Sequence, residues 1–130
     1  MIFDLKKREI RIKIVYYGPS FSGKTTNLMK IHEGFPGKRG KLLTLNTKGE
    51  RTLLFDFLPL EMNLFKDFST RFFVYTVPGQ IFYRGARKLV LKGADGIVFV
   101  ADSQRDRLEE NVENLKEMYD NMNELGLEKR

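Results

Sequence analysis

The chain has no cysteine, a single histidine and no hydrophobic run that approaches the span of a membrane helix. The first absence excludes disulfide scaffolds and cysteine-ligated metals and makes a cytoplasmic location the default expectation. The second leaves His32 without a neighbouring ligand set, so a structural or solvent-facing role is expected for it. The third excludes an integral membrane segment, and Met1-Ile2-Phe3-Asp4-Leu5-Lys6-Lys7-Arg8 lacks the apolar core and small-residue cleavage site of a signal peptide. Internal repeats, low-complexity tracts and linkers are missing too, so residues 1–130 read as one domain.

What remains is an ordinary globular composition, 42% hydrophobic and 31% charged, with a formal net charge of +6. The cations are scattered: Lys6, Lys7 and Arg8, then Lys38, Arg39 and Lys41, then Arg84, Arg87, Lys88 and Lys92. None of these groups has the aromatic interleaving or zinc spacing of a nucleic-acid module, so no nucleic-acid partner is expected. A solvated surface with a polyphosphate ligand accounts for the charge more simply than nucleic acid or an anionic membrane.

The chemistry is concentrated in one stretch. Ile10-Arg11-Ile12-Lys13-Ile14-Val15-Tyr16-Tyr17 alternates apolar and basic residues and then becomes continuously apolar, as a strand entering a buried parallel sheet does. Gly18-Pro19-Ser20-Phe21-Ser22-Gly23-Lys24-Thr25-Thr26 follows, and Asn27-Leu28-Met29-Lys30-Ile31 continues it as a helix. Gly18 and Gly23 let the backbone turn so that the amides from Phe21 through Ser22 to Thr26 converge on phosphate oxygens. Thr25 and Thr26 open a helix whose unpaired amides and positive dipole end favour an anion. Lys24 directs a full positive charge at the β- and γ-phosphates, and the Thr25 hydroxyl can occupy one position in a magnesium shell.

Downstream, Gly34-Phe35-Pro36-Gly37-Lys38-Arg39-Gly40 reads as a loop, Lys41 to Asn46 as a short strand, and Leu53 to Leu58 as a strand stopped by Pro59. Arg71 to Val77 is strongly β-favouring, and its closeness to the preceding strand suggests an antiparallel hairpin. Ile81 to Leu91 reads as a short helix and Gly96 to Ala101 as a buried strand. Leu108, Val112, Leu115, Tyr119 and Met122 recur at three and four residues, one face of an amphipathic helix that Gly126 would cap. The order implies an α/β fold of the P-loop type, a mostly parallel sheet flanked by helices, with the phosphate loop at the carboxyl end of the first long strand.

Thr76-Val77-Pro78-Gly79-Gln80 closes a strand with a second nucleotide element. A glycine amide there can meet a γ-phosphate, and the glutamine after it can orient an attacking water. With Ile14 to Pro19, Gly23 to Leu28, Arg51-Thr52-Leu53-Leu54-Phe55-Asp56-Phe57-Leu58-Pro59, Tyr75 to Gln80 and Arg87 to Gly93 continuing into Phe99 to Ser103, the sequence closely resembles the bacterial MglA-type small Ras-like GTPases of gliding motility and cell polarity. The resemblance spans nearly the whole chain. It implies a Ras-like fold that binds GTP or GDP with magnesium and hydrolyses GTP to GDP. It also implies phosphate and metal roles for Gly23, Lys24, Thr25 and Thr26, a first-switch role for Thr52, a water-positioning role for Gln80 and a built-in arginine finger in Arg51. A roadblock-type activating protein (MglB-like), polarity or motility effectors and recruitment to cell poles are further implications of the resemblance.

Two departures accompany it. Thr76 stands where Ras-like proteins usually carry the aspartate that supports magnesium, and Asp56 on the neighbouring strand is the candidate replacement, because an in-sheet aspartate needs a charged or hydrogen-bonding partner. Nothing after Lys92 matches the asparagine-lysine-x-aspartate element that reads guanine in this family, so the chain is expected to be the amino-terminal part of the full fold, lacking its last strands and helices. Guanine versus adenine specificity therefore stays open on the residues alone. A truncated scaffold that does not hydrolyse nucleotide, and a P-loop ATPase or kinase of another class, remain alternatives to the switch.

Overall fold

A computed structural model describes residues 1–19, 22–47, 53–65, 67–77 and 84–127. Its centre is β2 (Glu9–Tyr17), preceded by β1 (Ile2–Asp4) and followed by α1 (Lys24–Gly34). Then come β3 (Lys38–Arg39), β4 (Leu43–Thr47), β5 (Leu53–Phe65), β6 (Phe68–Thr76), α2 (Arg84–Leu91), β7 (Gly96–Phe99) and α3 (Leu108–Glu124). β2 pairs in parallel with β6 on one side and with β7 on the other. The start of β2 also pairs antiparallel with β1, so β1 and β7 share one edge of it.

The sheet is mixed rather than mostly parallel. Only the β2 pairings with β6 and β7 are parallel, whereas β5 runs antiparallel to β3, β4 and β6. The reason is local: Phe65 is in register with Phe68, three positions on in the chain, which forces β5 and β6 into the expected hairpin. Parallel strands need a crossover, and α1 and α2 supply crossovers only around β2.

Pro59 does not end its strand. β5 continues to Phe65, with Pro59 opposite Phe73. In an antiparallel strand a residue's nitrogen and carbonyl point to the same side, and the Pro59 carbonyl accepts the Gly40 N–H at 2.9 Å. The ring nitrogen therefore faces the break between β3 and β4, and the ladder to β6 loses no donor.

Alternation along the strands sorts the core into two layers. Leu58, Leu60 and Val74 lie on the face covered by α1, around Leu28. Val15, Tyr17 and Val77 lie on the opposite face with Val90 and Leu91 of α2 and Met118 of α3. On that second face Phe57 stacks on Phe73 and meets Tyr75 at a tilt, at centroid distances of 6.0 and 4.8 Å.

Two expectations are corrected here. Gly96 to Ala101 is not a buried strand: β7 spans four residues, pairs among the described strands with β2 alone, and leaves Val98 40% exposed. α1 packs over β5 and β6. In α3, Leu115 and Met122 do pack inward, but Leu108, Val112 and Tyr119 are exposed, and the buried stripe runs instead through Met118, Asn121 and Leu125. The helix is rotated because polar groups find partners inside: the Asn111 side chain brackets the Asp102 backbone at 2.7 and 2.9 Å, and Asn121 donates to the Tyr17 hydroxyl at 3.2 Å. Gly126, at φ 72°, ends α3 as anticipated, with Leu127 N–H reaching Met122 O and Gly126 N–H reaching Asn123 O.

Candidate functional site

The parallel ladder carries β2 and β6 to the same end of the sheet, where Tyr16 is paired with Thr76 and the chain leaves β2 at Gly18. Gly18 is required by crowding: at φ 150°, a Cβ placed there would lie 2.1 Å from the Val100 carbonyl oxygen. Val100 N–H also donates to Tyr17 O at 2.7 Å, so β7 holds the floor of the turn. Gly23, at φ 100°, opens α1, and no side chain caps that amino end. An anion there would meet uncapped amides at the positive end of an 11-residue helix.

Lys24 is buried and its ammonium donates to the carbonyls of Gly18 and Pro19 at 2.8 and 2.6 Å. Burial pushes its pKa down to about 8, the Arg87 guanidinium acts in the same direction, and Asp56 opposes both. The loop thus stores a partly desolvated cation in a fixed place. Ser22 contributes a buried hydroxyl oxygen that has no hydrogen-bond partner among the described residues, a polar atom that a ligand oxygen would satisfy.

Asp56 faces inward, 8% exposed. Its carboxylate accepts from Thr25 Oγ1 at 2.6 Å, Thr44 Oγ1 at 2.8 Å and Thr76 Oγ1 at 3.1 Å, while Thr76 Oγ1 accepts the Asp56 N–H at 2.9 Å. A carboxylate and three hydroxyls from α1, β4, β5 and β6 converge beside the phosphate loop. All are hard oxygen donors, and no cluster of three or more acidic, histidine or cysteine side chains occurs among the described residues. That donor set fits magnesium, which is held by one or two carboxylates plus ligand oxygens and waters, and it does not fit a softer metal.

Of the residues singled out in the sequence, Gly18, Ser22, Gly23, Lys24, Thr25, Thr26 and Asp56 fall together at this end of the sheet, with Thr26 exposed in the first turn of α1. Phe21, Arg51, Thr52, Gly79 and Gln80 lie outside the described residues. His32 places its Nε2 3.1 Å from Gly40 O.

Sequence reasoning missed Thr44, whose only signal was a hydroxyl in a short strand. It also missed the assembly behind the loop, where the Tyr17 hydroxyl donates to Glu117 at 2.5 Å and Arg87 binds the same carboxylate through two nitrogens, one of them at 2.6 Å. Burial first, and then the Glu117 carboxylate, raise the Tyr17 pKa well above the ordinary phenol range.

No family model matches the chain. Over 124 residues, 95% of its length, the chain is 54% identical to the mutual gliding-motility protein MglA of Myxococcus xanthus, and it spans 64% of that protein's length.

Proposed function

Since the chain belongs to the MglA type of Ras-like P-loop proteins, we propose that it binds GTP and GDP at the loop from Gly18 to Thr26 and acts as a hydrolysing switch. The observation that carries this reading is the buried Lys24 ammonium, held by two loop carbonyls at the amino end of an uncapped helix and flanked by the Thr25–Asp56–Thr76 oxygens. Such a loop neutralises phosphate charge with one fixed cation and a row of amides.

Magnesium would be held by the Thr25 hydroxyl, with Asp56 replacing the carboxylate that Thr76 lacks and Thr52 as a further oxygen donor. When bound, the ion supplies charge neutralisation across the phosphate oxygens. Thr76 and Thr44 orient the Asp56 carboxylate. In this reading Gln80 positions the attacking water, the Gly79 amide meets the γ-phosphate, and the Arg51 guanidinium neutralises charge developing on the transferred phosphoryl group. A cytoplasmic switch with polar recruitment, answering to a roadblock-type activator and to motility or polarity effectors, completes the proposal.

Two measurements test it. Asp56→Ala is expected to weaken magnesium-dependent nucleotide binding by about tenfold or more, read as the shift in magnesium concentration needed for half-saturation with a fluorescent GTP analogue. An unchanged midpoint removes Asp56 from the metal site. Gln80→Leu is expected to retain GTP affinity within a few-fold and to slow single-turnover hydrolysis by about a hundredfold or more. Saturable GTP binding with equal hydrolysis in variant and parent excludes the glutamine mechanism, and no saturable binding of GTP or ATP to the parent favours the scaffold.

A further inference from the structure

The layer where α2 and α3 meet the sheet is apolar around Val15, Val77, Val90, Leu91 and Met118, with a polar assembly set into it. Among the described residues of the two helices, the buried polar side chains are Arg87 and Asn121, and both join the Tyr17–Glu117 pair. The Tyr17 hydroxyl donates to Glu117 Oε1 at 2.5 Å, Arg87 grips the same carboxylate through Nε and Nη2, the second at 2.6 Å, and Asn121 donates to the hydroxyl at 3.2 Å. Stability alone does not call for such an assembly, because well-packed apolar residues of similar size hold a layer as well or better.

Its members belong to three elements that bear on the phosphate loop. Tyr17 ends β2 and directly precedes Gly18, whose carbonyl, with that of Pro19, accepts from the Lys24 ammonium. Arg87 stands in α2, the helix that follows β6, Gly79 and Gln80 in the chain. Glu117 stands in the middle of α3 and holds both. A phosphate chain at the loop acts on this assembly from two sides. It competes for the Lys24 ammonium with the Gly18 and Pro19 carbonyls, which immediately follow Tyr17. It also attracts the Arg87 guanidinium, which lies close enough to Lys24 to depress the lysine's pKa, while Glu117 holds that guanidinium back.

We infer that Glu117 is a positioning residue that makes α2 answer to the occupancy of the phosphate loop: its fork with Arg87 fixes α2, and the hydroxyl it takes from Tyr17 ties that fork to the strand end from which the loop starts. This role rests on the proposed nucleotide reading of the loop and adds the route by which a bound nucleotide is felt in α2. The fork matters as much as the charge, since a guanidinium gripping a carboxylate through two nitrogens has a fixed orientation that a point charge lacks. Lys88 and Glu124 supply the contrast. Their ion pair, at 2.8 Å, also joins α2 to α3, but it lies at the surface, where such pairs hold little and are screened by salt.

The test is hydrogen exchange at the amides of residues 88–91 in the full chain, with and without a non-hydrolysable GTP or ATP analogue at the same multiple of each variant's Kd. At a fixed multiple, ligand binding stabilises the whole fold of every variant alike, so differences between variants report on α2 itself. In the parent the ligand is expected to slow these amides by about tenfold, within the range of coupling between linked sites. Tyr17→Phe removes the hydroxyl and keeps the Arg87–Glu117 pair, and it should cut the slowing to about threefold or less. Glu117→Leu with Arg87→Met should do the same at nearly parental Tm; if that pair of changes does not fold, Tyr17→Phe decides alone. Lys88→Gln should respond as the parent does. A parent that binds nucleotide without slowing in α2 overturns the inference and leaves the switch standing. Tyr17→Phe responding as fully as the parent overturns it too, and so does Lys88→Gln losing the response, since any tie between the two helices would then serve. Saturable binding of neither analogue to the parent removes the switch and this role together.

Discussion

Lys24→Ala is expected to lower nucleotide affinity by about 10²- to 10³-fold while leaving the fold intact. The ammonium is already desolvated and pinned by the Gly18 and Pro19 carbonyls, so a polyphosphate meets a cation that needs little reorganisation. Removing one partner of a buried charge interaction costs about 3–5 kcal/mol, which sets the scale of the loss. Titration with a fluorescent nucleotide, with circular dichroism as the folding control, reads the effect; affinity within threefold of the parent would place the nucleotide elsewhere.

The same residue gives the ligand-free chain a pH signature. Its folded pKa, about 8, lies below the ordinary lysine value of 10.5. Between those values the unfolded chain binds more protons than the folded one, so stability rises with pH across that window. Lys24→Met keeps the aliphatic stem, removes the titrating group and should flatten the slope.

Glu117→Ala is the second large effect, and it acts on stability. Arg87 is 8% exposed and has the Glu117 carboxylate as its counter-ion, and the Tyr17 hydroxyl donates to the same group. Truncating Glu117 leaves a buried guanidinium without its counter-ion and the Tyr17 O–H without its acceptor, at a cost of about 3–5 kcal/mol. For a chain of this size that corresponds to a fall in Tm of roughly 10–20 °C, a large part of the marginal stability of a small domain. Pairing Glu117→Leu with Arg87→Met should recover most of the loss, because two apolar groups of similar size leave no charge behind. A Glu117→Ala protein that melts within 3 °C of the parent would mean that the ion pair is dispensable, a shift smaller than about 1 kcal/mol produces.

What could be read beforehand follows from how local each feature is. The strand, loop and helix from Ile10 to Ile31 announce themselves because each residue type answers to its immediate neighbours: apolar run, glycine turn, capless helix start. The β5–β6 hairpin and the Gly126 helix stop are local in the same sense. Asp56 was legible as a polar residue out of place in a strand, but its direction was not, since alternation alone leaves the choice of face open.

The failures involve distant partners. Pro59 continues its strand only because Gly40 and the break between β3 and β4 lie beside its nitrogen, and no local rule supplies that neighbour. The periodicity of α3 pointed to Val112 and Tyr119, yet the helix turns Asn121 and Glu117 inward because Tyr17 and Arg87 receive them across 104 and 30 positions of chain. The apolar residues of β7 suggested a central strand, whereas burial of Ile97 and Phe99 comes only from the α2 and α3 layer on one face.

The three hydroxyls around Asp56 sit on α1, β4 and β6; β4 and β6 are both laddered to β5, and the Asp56 carboxylate links the Thr25 hydroxyl of α1 to them. A single carboxylate joins them, so any displacement of the Thr25 side chain must be absorbed by Thr44 and Thr76 or by rotation of the acid itself. Threonine methyl resonances at positions 44 and 76 are therefore natural probes of events at the head of α1. Labelling those two residues would let an edge strand of the sheet serve as an antenna for its opposite layer.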